Sequence, residues 1–151
     1  MDKEGLRKLI VKVREYRGAV IHDFISIEAF ISSIIAIYFA KKEKNNEFNR
    51  TVMDDEYFSF GLKINILEKL NLVVYNGFFE DIRRLNKIRN IFAHNIPTLD
   101  EGFYCYDKKD KKQNHKKMKE LYEEFTNKTK IVDAQLDKIF SELVKKNTEV
   151  I

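Results

Sequence analysis

The chain has 151 residues, of which 44% are hydrophobic and 34% charged, and its formal net charge is +4. This balance is typical of one soluble globular domain, spanning residues 1–151 and long enough to bury a core. Five glycines and one proline are too few for the many turns of an all-β fold, so long helices are expected. The single Cys105 excludes an intrachain disulfide and favours a reducing, cytoplasmic location.

The N-terminal part predicts a long helical run from about Glu4 to Ala40, because its apolar residues recur at spacings of three and four. Gly18 is a candidate for a kink or for a division into two helices. The part from Ala29 to Ala40 is apolar nearly all round, but a bilayer needs about twenty such residues. We therefore expect a core helix and no membrane partner, and the charged N-terminus predicts no signal peptide.

Glu28 is the one carboxylate in the apolar end of this run. A carboxylate among apolar side chains is costly unless it is paired. It either points to a solvated flank or pairs with a structural lysine.

Residues 41–57 are polar and weakly periodic, which indicates a loop with at most a short helical turn. Ser59 is a plausible N-cap for a helix from Phe60 to about Asn71. The expected buried side of that helix consists of Leu62, Ile66, Leu67 and Leu70. Lys63 then either faces solvent or binds phosphate.

The next predicted helix runs from Gly77 to His94, with Asn76 as a possible cap. Its buried stripe is formed by Ile82, Leu85, Ile88 and Phe92. A second stripe carries Asn86, Asn90, Ala93 and His94, with Arg89 at its edge. Because Asn90 and His94 are four residues apart, their side chains can meet on one face. Pro97 indicates that the helix ends near His94.

The same helix carries four cations within seven positions, namely Arg83, Arg84, Lys87 and Arg89. Such a basic strip suits a phosphodiester backbone. The alternative is a solvated face that Glu80 and Asp81 partly neutralise.

The last third begins with a polar connector after Pro97. Within it, residues 103–106 are predicted to form a short extended segment, and a lysine run follows. A final helix is expected from about Lys116 to Lys146, with a bend near residues 126–129. The whole pattern predicts an all-α antiparallel bundle of four to five helices.

No metal or cofactor is expected, because one cysteine and three scattered histidines give no zinc pattern and no Gly-rich phosphate loop is present. Arginine, asparagine and histidine remain, together with a glutamate as a further candidate, and this set suits metal-independent RNA cleavage. The RNA 2′-hydroxyl is a tethered nucleophile, a histidine can transfer the protons, and a guanidinium can stabilise the charge that the phosphate gains.

The string Arg89-Asn90-Ile91-Phe92-Ala93-His94 resembles the Arg-x4-His signature of HEPN domains, the helical "higher eukaryotes and prokaryotes nucleotide-binding" family. It looks most like the mannitol-repressor-like (MltR-like) branch. Phe60-Gly61-Leu62-Lys63-Ile64 and the run from Asp81 to Asn90 are also similar to that branch. The resemblance covers roughly residues 17 to 97.

The resemblance implies a HEPN-like bundle and an endoribonuclease that acts as a toxin or defence effector. Arg89 and His94 would be catalytic, Asn90 would position, and Glu28, with Lys63 nearby, would orient Arg89. Two such motifs would meet across a homodimer, and a nucleotidyltransferase-type antitoxin would be a partner. The alternative is a non-catalytic transcriptional regulator or a scaffold that binds protein or nucleic acid; a nucleotide-binding partner of a nucleotidyltransferase is a third reading.

Overall fold

A computed structural model describes residues 3–40, 42–55, 57–94 and 111–148. Five α-helices follow one another along the chain: α1 (Lys3–Phe39), α2 (Asn45–Phe48), α3 (Phe60–Lys69), α4 (Phe78–His94) and α5 (Lys111–Thr148). The described ranges contain no β-strand. The prediction of an all-α fold with four to five helices is therefore confirmed.

The segment between α1 and α3 is more helical than predicted. A 3₁₀ turn at Lys42–Lys44 precedes α2, and a π-helical turn at Asn49–Met53 follows it. Met53 is fully buried, and its burial explains why this polar segment folds back into helical turns. Pro97 and the predicted extended segment at 103–106 lie outside the described residues.

The two long helices are continuous where breaks were expected. α1 runs through Gly18, so the predicted division into two helices is wrong, while a kink at Gly18 stays a prediction. α5 runs without interruption from Lys111 through residues 126–129, where a bend was predicted. A Cβ atom built on Gly18 would meet nothing within 4 Å, so no close contact requires a glycine there. The residues around Gly18 keep a helical period, and one glycine costs a helix only about 1 kcal/mol relative to alanine.

The chain divides into two compact units. The first contains the residues up to Phe24 together with Ile82–Lys130. Its core is formed by Ile10, Val13, Val20, Phe24, Ile82, Leu85, Ile88, Phe92, Met118 and Phe125, all of them buried. The predicted apolar stripe of α4 is thus buried in full. Tyr16 and Tyr122 stack with ring centroids 4.4 Å apart and join α1 to α5 in this unit.

The second unit contains Ile25–Asp81 and the residues from Ile131 onward. Here α1 and α5 lie parallel, because two contacts advance together along both helices. The Phe30 and Phe140 ring centroids are 5.5 Å apart, and seven residues later Asn147 Nδ2 donates to the Ile37 carbonyl. Each isoleucine buried in this core contributes about 1.5–3 kcal/mol. The prediction of a single domain over residues 1–151 stays a prediction.

The start of α3 is fixed by Ser59, whose Oγ accepts a hydrogen bond from the Leu62 amide at 3.3 Å. The N-cap prediction is therefore confirmed. The buried side of the helix differs from the predicted one and consists of Phe60, Lys63, Ile64 and Leu67. Leu62 is 40% exposed. The residues at spacings of three and four from the first helical position face the core, and this register places Lys63 among apolar side chains.

The turn before α4 depends on Gly77, which has a φ of +91°. The helix begins at Phe78, one residue later than predicted. Tyr75 secures this start, because its hydroxyl donates to Asp81 Oδ2 at 3.0 Å. Burial, and then the hydrogen bond to Asp81, raises the pKa of the Tyr75 phenol, which keeps it a neutral donor.

The stretch Arg7–Phe39 within α1 is long and apolar enough to cross a membrane by length and composition. In its most apolar window, 44% is buried inside the protein. The core helix of a soluble protein can be equally long, apolar and partly buried, so the finding favours neither a membrane span nor a core helix. Cytoplasmic localisation without a membrane partner stays a prediction.

Replacing Gly18 and Gly77 by alanine is expected to change stability in opposite directions. Gly18→Ala should raise the unfolding free energy by about 0.5–1 kcal/mol, because alanine loses less backbone entropy in a continuous helix. Gly77→Ala should lower it by about 1–2 kcal/mol, because the left-handed region is strained for alanine. Urea denaturation followed by circular dichroism measures both. A destabilising Gly18→Ala would show that α1 needs the glycine after all.

Candidate nucleic-acid site at the end of α4

His94 is the last residue of α4, and its side chain is exposed. It lies on the stripe opposite the buried residues of the helix, so the burial of Phe92 and Ile88 turns this stripe outward. Asn90, one turn earlier, is half-buried. The sequence placed both residues on this stripe. An exposed imidazole at a helix terminus is accessible to a ligand.

Arg89 is held by two contacts within the first unit. Its Nη2 donates to Asn86 Oδ1 at 3.0 Å, and its Cζ lies 4.7 Å from the centroid of the Phe24 ring. A guanidinium over an aromatic face gains about 0.5–2 kcal/mol, more as it is desolvated. The Nε atom is buried and has no hydrogen-bond partner among the described residues. The head group is therefore fixed in place while part of its donor capacity is unused.

Arg17 is a member of this cluster that sequence reasoning missed. Its Nη2 donates to the carbonyl oxygen of Ala93 at 3.3 Å, next to His94. The only sequence signal is that Arg17 and Phe24 are seven residues apart and so share a face of α1. Their partners, Ala93 and Arg89, come in reverse order along α4. The two helices therefore pack antiparallel in this unit.

The predicted basic strip on α4 is only partly available to a ligand. Arg84 forms a bidentate ion pair with Glu124 of α5, with Nε–Oε1 and Nη2–Oε2 distances of 2.7 and 2.6 Å. This geometry uses the planar edge of the guanidinium that a phosphate would need. Arg84 therefore belongs to a structural pair, and RNA binding by Arg84 stays a prediction. Arg83 and Lys87 are exposed.

Glu28 and Lys63 pair with each other inside the second unit. Lys63 Nζ donates to Glu28 Oε1 at 2.9 Å, and the two side chains are 6% and 32% exposed. The prediction that Lys63 is solvated or binds RNA is corrected, because its side chain is buried. For Glu28, the alternative of a pair with a structural lysine is confirmed, and the prediction that it orients Arg89 is corrected, because Asn86 and Phe24 hold Arg89. The cause is the register of α3, which turns Lys63 inward, where a buried ammonium requires a carboxylate.

The pair lies at a cleft of about 400 Å³ on the second unit. The cleft is lined by residues of α1, by residues 53–55 and by the start of α3, and its charged members include Asp54 and Asp55 beside Glu28 and Lys63. Carboxylates outnumber the ammonium, so this surface repels a phosphate.

The last two turns of α4 carry an exposed imidazole, a guanidinium held by Asn86 and Phe24, and an amide. Arg89 and His94 are five residues apart, which separates them by about 140° on an ideal helix. An imidazole can transfer a proton, and a guanidinium can stabilise negative charge that forms in a transition state. Within the described ranges, no group of three or more histidine, cysteine, aspartate or glutamate side chains is placed to hold a metal ion.

Removing one member of the Glu28–Lys63 pair is expected to destabilise the protein. Glu28→Gln should lower the unfolding free energy by about 2 kcal/mol, since it leaves a buried ammonium without a counter-charge, while Glu28 itself is partly solvated. The double variant Glu28→Gln with Lys63→Met should recover most of that loss. Chemical denaturation measures both. Equal unfolding free energies for wild type and Glu28→Gln would contradict a structural role for the pair.

Comparisons of the chain with models of known protein families, with curated proteins and with solved structures gave no match. The case for any function therefore depends on the residues and contacts described above.

Proposed function

We propose that this protein is a HEPN-type, metal-independent endoribonuclease whose site lies at the C-terminal end of α4. The observation that carries the proposal is the combination of an exposed His94 with an Arg89 head group held by Asn86 and Phe24. The proposal includes a role as a toxin or defence effector with a nucleotidyltransferase-type antitoxin, as the family resemblance implies.

The reaction uses the RNA 2′-oxygen as the nucleophile. It bonds to the adjacent phosphorus, the bond from phosphorus to the 5′-oxygen breaks, and the products are a 2′,3′-cyclic phosphate and a 5′-hydroxyl. His94 accepts the proton from the 2′-hydroxyl or delivers one to the leaving oxygen. Arg89 stabilises the charge on the non-bridging oxygens. DNA lacks the nucleophile, so it is not cleaved.

One imidazole can serve only one of the two proton transfers at a time. A second His94 from an identical subunit would serve the other, which requires the α4 termini of two copies to meet at a two-fold axis. The functional unit in this proposal is therefore a homodimer.

A second candidate is a non-catalytic regulator or scaffold that binds protein or nucleic acid. The observation that favours it is that both contacts of Arg89 lie within the protein, where they also stabilise the packing of α4. In this case, Arg89 would serve the fold, and His94 would be an ordinary surface residue.

RNA cleavage in the presence of EDTA distinguishes the two candidates. Wild type should cleave a fluorescent RNA oligonucleotide, while His94→Ala and Arg89→Ala should each lose at least about 100-fold in rate, because each removes a group that acts on the transition state. Arg14→Ala and His22→Ala are matched controls on exposed positions of α1 and should retain activity. An oligonucleotide with 2′-deoxyribose throughout should remain intact. If wild type leaves RNA intact and the Arg89 variant only loses thermal stability, the regulator or scaffold is the better account.

The homodimer is checked by mass. Sedimentation equilibrium at micromolar concentration should give about twice the 18.0 kDa of the chain. A purely monomeric mass at concentrations where RNA is cleaved would exclude a site shared between two copies.

A further inference from the structure

The last turn of a helix has carbonyl groups without partners inside the helix. In α4, the carbonyl of Ala93 is one of them, and it receives the Nη2 of Arg17 from α1 at 3.3 Å. Ala93 precedes His94 directly, so this hydrogen bond acts on the peptide that carries the exposed imidazole. Arg17 is half-buried, which limits the freedom of its head group.

Two contacts fix the end of α4 relative to α1 inside the first unit. The Phe24 ring supports Arg89, and seven residues earlier on the same face of α1, Arg17 holds Ala93. Arg89 and Ala93 are four residues apart and lie on one side of α4. α1 therefore contacts α4 at both Arg89 and Ala93, through the Phe24 ring and the Arg17 guanidinium.

We propose that Arg17 is the positioning residue of the Arg89–His94 site, an inference that rests on the proposed ribonuclease function. By satisfying the Ala93 carbonyl, Arg17 keeps the terminal turn of α4 wound and so fixes the backbone from which the His94 side chain projects. Proton transfer requires that geometry, because a displacement of about 1 Å can cost about 100-fold in rate. Arg17 acts through the peptide backbone and does not touch RNA.

Arginine suits this position better than lysine. The guanidinium is planar, donates in a fixed direction and stays charged. It therefore interacts favourably with the negative end of the helix dipole while it donates a hydrogen bond to one carbonyl. Lysine can donate to the same oxygen but with a freely rotating ammonium. A lysine variant should therefore restore part of the effect, whereas a variant without a donor should restore none.

The test compares Arg17→Ala and Arg17→Lys with wild type, and Arg14→Ala serves as the control because Arg14 is an exposed arginine one turn away on α1. For Arg17→Ala, kcat for RNA cleavage should fall about tenfold or more while KM changes by less than about twofold. Arg17→Lys should fall between Arg17→Ala and wild type. Arg14→Ala should match wild type in both constants.

Amide hydrogen exchange without RNA supplies a second measurement that does not need activity. In Arg17→Ala, exchange at residues 91–94 should accelerate by about five- to tenfold, while residues 82–85 of the same helix should exchange as in wild type. This internal reference separates fraying of the terminal turn from a general loss of stability. Acceleration along the whole of α4 would assign Arg17 to overall stability and overturn the inference.

The remaining outcomes separate this inference from the function on which it rests. If wild type cleaves RNA and Arg17→Ala cleaves it equally well, the positioning role is wrong and the ribonuclease stands. If KM rises and kcat is unchanged, Arg17 binds substrate and does not position His94. If wild type itself leaves RNA intact, the proposed function fails, and the positioning role fails with it.

Discussion

The contact between the Arg89 guanidinium and the face of Phe24 is the interaction on which the first unit's candidate site depends. Phe24 is a core residue with only 1% exposure, so its ring is a fixed platform. The contact with this ring restricts the positions of the Arg89 guanidinium, and it packs α4 against α1 next to the candidate site. The Arg17–Ala93 hydrogen bond then fixes the same two helices nearer to the terminus of α4.

The partner that orients Arg89 is an amide, and this has an electrostatic consequence. The sequence had suggested a carboxylate for this role, in the form of Glu28. A carboxylate would have neutralised the guanidinium, whereas the Asn86 oxygen accepts a hydrogen bond and leaves the positive charge intact. Full charge is what a group needs if it is to stabilise a phosphate in the transition state. Glu28 instead neutralises a buried lysine, for which loss of charge is an advantage.

Much of the fold could be predicted, because it depends on the spacing of apolar residues and on capping residues that are close together in the sequence. The stripe from Ile82 to Phe92, the cap at Ser59 and the long apolar α1 all follow from the spacing or identity of nearby residues. The site was predicted less completely, because its partners are distant in sequence. The spacing within α3 accounts for the inward turn of Lys63, but nothing local indicates that Lys63 meets Glu28 or that Arg84 meets Glu124. The contact of Arg17 was harder still to predict, because its acceptor is a backbone carbonyl and every residue type has one.

The ion pair between Arg84 and Glu124 also bears on how a nucleic acid would be attracted to α4. Glu124 pairs with Arg84, so the charge that this strip offers to a ligand is smaller than its four cations suggest. Attraction by counterion release grows with the number of neutralised phosphates, with a slope of about −0.7 per contact for a single strand. If RNA binds there as proposed, the pairing of Arg84 within the protein makes the dependence of binding on ionic strength shallower than four free cations would give.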